Sequence, residues 1–139
     1  MTLLLTLSTR SLAGLFEEPD KGPNSLLDVP RFAMDHLGLR GLYIDASMLS
    51  GWSLPELDRL RDQADKAACP CLVLHDEEVL QLADPDVSVR EEAALRIERL
   101  SIAGNRLGCN SIAVRCGHHK DDAAIERATE TLRAIMSTV

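Results

Sequence analysis

Four short apolar runs, at residues 3–8, 41–46, 71–75 and 111–116, alternate with longer stretches of helical periodicity. That spacing is the mark of successive βα units. Strands joined by helical crossovers run parallel, and each crossover is right-handed. The order βαβαβαβα therefore fixes an α/β class before any residue is given a role. The 139 residues suit a single domain, 1–139, with no linker or low-complexity segment inside it. An apolar fraction of 45% is enough for a core and excludes an intrinsically disordered chain. Aromatic residues are limited to Phe16, Phe32, Tyr43 and Trp52, so the core must be aliphatic.

The helices carry their own start and stop signals. Asp28 is placed to cap the first, with Pro30 in its opening turn and Leu27 stapling against Phe32. Ser53-Leu54-Pro55-Glu56 has the spacing of a capping box, with Trp52 and Leu57 as its hydrophobic staple. Ser88-Val89-Arg90-Glu91 repeats the pattern, and Asp121 or Asp122 is available to cap the last helix. Three apolar stripes follow the helical period. They are Leu54, Leu57, Leu60, Ala64 and Ala67; Val89, Ala93, Ile97, Leu100, Gly104 and Leu107; and Ile125, Ala128, Leu132, Ile135 and Met136. Gly38 and Gly108 are placed as helix stops, and Pro70 ends the second helix just before a strand. Residues 11–27 predict a long loop after the first strand.

With 22 acidic and 15 basic residues the net charge is −7, which repels polyanions. No run of Lys or Arg makes a local basic patch, and aromatic stacking platforms are scarce, so nucleic acid is not an expected partner. No segment approaches the roughly 20 apolar residues that cross a bilayer. Residues 1–9 lack a basic leader region, and a cytoplasmic protein with reduced thiols is expected. Cys69-Pro70-Cys71 lacks the partners of a four-ligand zinc site, while Cys109 and Cys116 are expected as small buried hydrophobes.

Two architectures share this element order. A doubly wound, flavodoxin-like sheet buries both faces of its central strands. A (β/α)8 barrel carries helices outside only and tolerates polar residues inside, near the mouth. Strand parity separates them. Leu5 and Leu7 oppose Thr6 and Ser8; Leu42 and Ile44 oppose Tyr43 and Asp45; Leu72 and Leu74 oppose Val73 and His75; Ile112 and Val114 oppose Ala113 and Arg115. Each strand has one aliphatic face and one mixed face with polar residues toward its C-terminal end, which favours a barrel wall. A complete barrel takes about 250 residues, so four βα units make half of one. The chain is then a fragment of a longer protein, the favoured reading, or one of two copies that close a barrel, or a small flavodoxin-like sheet.

Two stretches, Asp28-Val-Pro-Arg-Phe-Ala-Met-Asp-His-Leu-Gly-Leu-Arg-Gly-Leu-Tyr-Ile-Asp45 and the segment from Glu56 to Leu74, resemble the xylose isomerase-like TIM barrels. The shared pattern is a helix ending in Leu-Gly-Leu, then a short strand ending in an acid. Leu107-Gly-Cys-Asn-Ser-Ile-Ala-Val-Arg-Cys-Gly117 resembles the fourth strand of that superfamily, which holds sugar-phosphate isomerases and epimerases and endonuclease IV. The resemblance covers nearly the whole chain as the N-terminal half of the fold. It implies proton transfer on a sugar or sugar phosphate, with a divalent metal (Zn, Mn or Mg) at the barrel mouth. Most metal ligands in the isomerases come from later strands, so the metal site would be incomplete here. The endonuclease branch, a metal-dependent phosphodiesterase, places zinc-binding histidines at positions comparable to His75 and to His118 or His119. A non-catalytic half-barrel that assembles with itself or with a partner chain is the third reading.

The candidate site residues follow from the mixed faces and the loops beyond them. His75 and Asp45 are the expected acid–base residues. Ser8, Arg10, Arg115 and His119 are expected to contact substrate, and His118 is the candidate metal ligand. Arg115 is suited to a phosphate or carboxylate. The alternative for Asp45 and Arg115 is a salt bridge that fills the barrel interior.

Overall fold

A computed structural model describes residues 4–18 and 20–138. Four strands, β1 (Leu7–Ser8), β2 (Leu42–Asp45), β3 (Cys71–Leu80) and β4 (Ser111–Cys116), alternate with four helices. The helices are α1 (Val29–Leu37), α2 (Leu54–Lys66), α3 (Val87–Leu107) and α4 (Ala124–Met136). All pairings are parallel and the sheet order is β1-β2-β3-β4. Each strand lies beside its sequence neighbour with no reversal of direction along the sheet. A flavodoxin-like sheet needs such a reversal, so that alternative is excluded, and the order is the one a barrel wall uses.

The register assigns the faces. Leu42 pairs with Cys71, Ile44 with Leu74, and Leu74 with Ile112, so these side chains share the face covered by helices. Leu42, Ile44, Leu60 and Leu74 are fully buried, and Val29, Ala33, Leu57, Ala64, Leu100 and Leu107 join them in one core. A smaller cluster of Leu80, Leu82, Ala93 and Ile135 lies farther along β3. The opposite face carries Ser8, Tyr43, Asp45, Val73, His75, Ala113 and Arg115, as parity predicts.

Gly38 and Gly108 end α1 and α3 at φ 64° and 76°, the left-handed region in which a Cβ is strained. The Cys109 N–H donates back to the Gly104 carbonyl at 2.8 Å, closing the end of α3 and turning the chain into β4. Gly108→Ala is expected to destabilise the protein by about 1 kcal/mol. A urea titration checks this, and an unchanged midpoint would rule out the left-handed cap.

Several local expectations change. Strand β1 is only two residues long among the described residues, and Leu3, expected within it, lies outside them. The stretch expected as loop holds two 3-10 segments, Thr9–Glu17 and Leu26–Asp28. Asp28 accepts from the Ser25 hydroxyl rather than capping α1. The Glu56 carboxylate accepts from the Ser53 N–H at 2.6 Å, as a capping box requires. The second box is displaced: α3 starts two residues earlier, and Asp86 caps it by accepting from the Ser88 N–H. Asp121 pairs with Arg127 instead of capping α4. The stripe on α4 is mostly uncovered, with Ile125 81% and Met136 77% exposed, because α4 packs against α3 at the end of the row. Cys116 is exposed, since the last residue of β4 lies past the helical cover. No helix among the described residues is long and apolar enough to cross a membrane.

Candidate functional site

The C-terminal ends of parallel strands point one way, so their last residues and following loops gather at one rim. Here that rim carries charge. β2 ends at Asp45, whose side chain is almost fully buried. Its Oδ1 accepts from the Ser47 N–H at 2.9 Å and the Ser47 hydroxyl at 2.7 Å, and Oδ2 faces Arg10 Nη1 at 3.4 Å. The Asp45 N–H donates to Thr9 Oγ1 at 3.0 Å, tying the start of the first 3-10 segment to the end of β2. This link fixes Arg10, one residue further on, above the sheet.

His75 pairs in register with Asp45 and lies against Tyr43, with ring centroids 5.2 Å apart. Past His75, strand β3 does something the sequence does not announce. Asp76 pairs with Val114, yet the next pair is Val79 with Arg115, so Glu77 and Glu78 bulge out of the ladder without strand partners. The bulge aims Glu77 over the mixed face. One carboxylate oxygen, Oε1, lies 3.5 Å from Arg10 Nη1 and 3.7 Å from His75 Nδ1, and Oε2 lies 3.5 Å from Arg115 Nη1. Glu77 therefore links residues delivered by three separate βα units.

Asp76 anchors the bulge from the other face. Its carboxylate accepts from Arg96 Nε at 2.7 Å and Arg96 Nη2 at 3.2 Å, both from α3. Burial pushes the Asp76 carboxyl up, but the Arg96 hydrogen bonds and the Glu78 N–H outweigh it and hold the group below the usual carboxylate range.

The structure thus brings Arg10, Asp45, His75 and Arg115 into one cluster, with Ser8 beside them at the end of β1 opposite Tyr43. The two loop histidines stand apart from it. His118 is exposed, and His119 Nε2 lies 3.0 Å from Gln81 Oε1. Glu77, Thr9 and Tyr43 complete the cluster and were not among the expected site residues. A groove of about 340 Å³ between α3 and α4, lined partly by Val87, Ala94, Thr131 and Ile135, is separate from this cluster.

The residues present do not fit a divalent metal. No group of three His, Cys, Asp or Glu side chains converges among the described residues. The rim carboxylates of Asp45 and Glu77 are instead faced by guanidinium groups, which occupy the space a cation needs. Burial pushes the Cys71 thiol up to about 12 and the Cys109 thiol up to about 11, which opposes thiolate ligation there.

No protein-family model matches the sequence, and no curated protein does. Solved structures do match in fold. D-psicose 3-epimerase has a TM-score of 0.68 at 17% identity, over 81% of this chain and 42% of that one. The probable 3-DHS dehydratase involved in petrobactin synthesis from Bacillus anthracis has a TM-score of 0.70 at 16% identity, over 98% and 48%. The 3-keto-D-glucoside 4-epimerase of E. coli has a TM-score of 0.63 at 16% identity, over 83% and 47%. These are xylose isomerase-like TIM barrels, so the resemblance in sequence is matched in fold. The chain spans less than half the length of each.

Proposed function

We propose that this chain is one half of a xylose isomerase-like barrel that moves a proton on a small polyhydroxy substrate, as an isomerase or epimerase does. The observation that carries the reading is the convergence of Arg10, Asp45, His75, Glu77 and Arg115 at the C-terminal rim of consecutive parallel strands. That rim is where such barrels build their sites. His75 is the residue that exchanges the proton, held on the mixed face in register with Asp45. Tyr43 flanks the imidazole and restricts its tilt. Asp45 supports the exchange by fixing Arg10 and the turn that begins at Ser47. Ser8, at the end of β1, and Arg10, in the 3-10 segment after it, present hydrogen-bond donors to substrate hydroxyls, and Arg115 does so from β4. His118 and His119, on the loop after β4, are left to contact substrate once the other half of the barrel is in place.

On this reading the other four βα units come from a longer chain, a partner or a second copy. Any divalent metal has to draw its ligands from those units. The sugars present with D-psicose 3-epimerases of this fold, D-fructose and D-tagatose, give the first compounds to try. The protein, in the assembly it forms, is incubated in D2O with D-fructose and D-tagatose, and deuterium at the carbon next to the carbonyl is followed by proton NMR. Exchange is expected, and His75→Gln is expected to slow it by about 100-fold. Absence of exchange, or exchange indifferent to His75→Gln, overturns the reading.

A further inference from the structure

The two arginines of the rim are held by a carboxylate that is itself poorly fixed. Glu77 meets Arg10 and Arg115 at 3.5 Å each. Charge-assisted N–H···O bonds close to about 2.7–2.9 Å, so neither contact is a tight hydrogen bond. The Glu77 side chain is 45% exposed, and those of Arg10 and Arg115 are 62% and 59% exposed. Its backbone sits in the bulge, with no strand partner to hold it. Asp76 beside it is the opposite case, buried and bonded to Arg96 at 2.7 Å. The bulge therefore has a fixed root and a movable tip.

We infer that Glu77 is a displaceable internal anion occupying an oxyanion subsite built from Arg10 and Arg115. The ligand class is a small molecule bearing a phosphate or a carboxylate, its oxygens taking the place of Oε1 and Oε2 between the two guanidiniums. The charges support this. Arg10 also faces Asp45, which stays in place through its bonds to Ser47, so one carboxylate remains when Glu77 leaves. Arg115 has Glu77 as its ion-pair partner among the described residues, and loses it on displacement. An incoming oxyanion restores that pairing. Glu77, released, swings toward solvent, where a carboxylate is well hydrated, and His75 is then freed of its nearest carboxylate. This inference rests on the proposed substrate site and adds an anion subsite to it, so a sugar that bears a phosphate or carboxylate is expected to bind more tightly than the neutral sugar.

The test uses inorganic phosphate, with acetate as a second arm, so that binding is read without turnover. Amide shifts of residues 76–79 and 115 are followed by NMR titration of the protein, in the assembly it forms, at constant pH and ionic strength. Phosphate or acetate is expected to shift these amides. Glu77→Gln is expected to tighten binding about fivefold by removing the internal competitor, while Arg115→Gln in the same background weakens it by at least that factor. Lys66→Gln, which removes an equal charge at the exposed end of α2, is expected to leave binding unchanged. The inference is overturned if neither anion shifts these amides, or if Glu77→Gln binds no tighter than the parent. It fails equally if Lys66→Gln weakens binding as much as Arg115→Gln does. Loss of deuterium exchange with anion binding intact would remove the proposed reaction and keep the subsite.

Discussion

Leu74→Ala is expected to lower the free energy of unfolding by about 3–5 kcal/mol, the upper part of the range for a buried leucine. Leu74 is fully buried at the centre of β3, paired on one side with Ile44 and on the other with Ile112. The cost of such a truncation depends on how far the surroundings collapse into the space left behind. Little collapse is available here. Gly104 already brings α3 close to the sheet, with its hypothetical Cβ only 3.8 Å from Leu74 Cδ2 and 3.5 Å from Ile112 Cγ1. Domains of this size are commonly stable by about 5–15 kcal/mol, so the loss takes a large share of the margin. Urea denaturation followed by circular dichroism measures it as a lower midpoint at constant slope. Leu132→Ala on α4, where the side chain is 42% exposed, provides the contrast and is expected to cost under about 1 kcal/mol. Equal losses at the two positions would mean that the helices do not cover the face of the sheet that carries Leu74.

That face was legible in the sequence because burial imposes it. Leu42, Ile44, Leu74 and Ile112 alternate with polar or smaller residues, and a strand has only two faces on which to put them. The same alternation placed Asp45, His75 and Arg115 together on the other face, and Ser8, with Arg10 just beyond the end of β1, fell at the same rim. The regularity failed at two places: a register shift between Leu42 and Tyr43, which puts Cys71 rather than Leu72 in the core, and the bulge after Asp76, which holds the centre of the cluster. The run Asp76-Glu77-Glu78 has poor strand propensity, so apolar patterning ends β3 at His75. The strand continues to Leu80 because Asp76 finds Arg96 across the core boundary and Leu80 returns to a second apolar cluster. A two-residue bulge leaves no periodic trace, and a contact between residues 20 apart on different elements has no local signal. The stripe on α4 failed for a different reason. Its period is helical, but periodicity reports which residues are fit to be buried, and only a neighbouring element buries them. Here Ile135 is covered and Ile125 is not.

Asp76→Asn should therefore act on stability and on the rim together. At neutral pH it is expected to cost about 2 kcal/mol, since it removes a charge-assisted, two-point interaction and leaves Arg96 short of its buried partner. The figure stays below that of a fully buried pair. The Arg96 side chain is 39% exposed and keeps Glu78 at 3.2 Å, so water and a second carboxylate screen the loss. The pH dependence fixes the origin of the effect. Against the burial that raises it, Arg96 holds the folded-state pKa of Asp76 below its ordinary value of 3.8. The contribution is then fully present above that value and disappears as pH falls through the lowered folded-state pKa. The parent and Asp76→Asn should differ at neutral pH and converge in strong acid, as urea midpoints measured across that range will show. A constant gap would assign the cost to packing rather than to the ion pair. The same substitution frees the root of the bulge, so Glu77 loses its aim at Arg10 and Arg115. An effect of Asp76→Asn on anion-induced shifts at residue 115, under conditions where the variant remains folded, would connect the core boundary to the rim through the bulge.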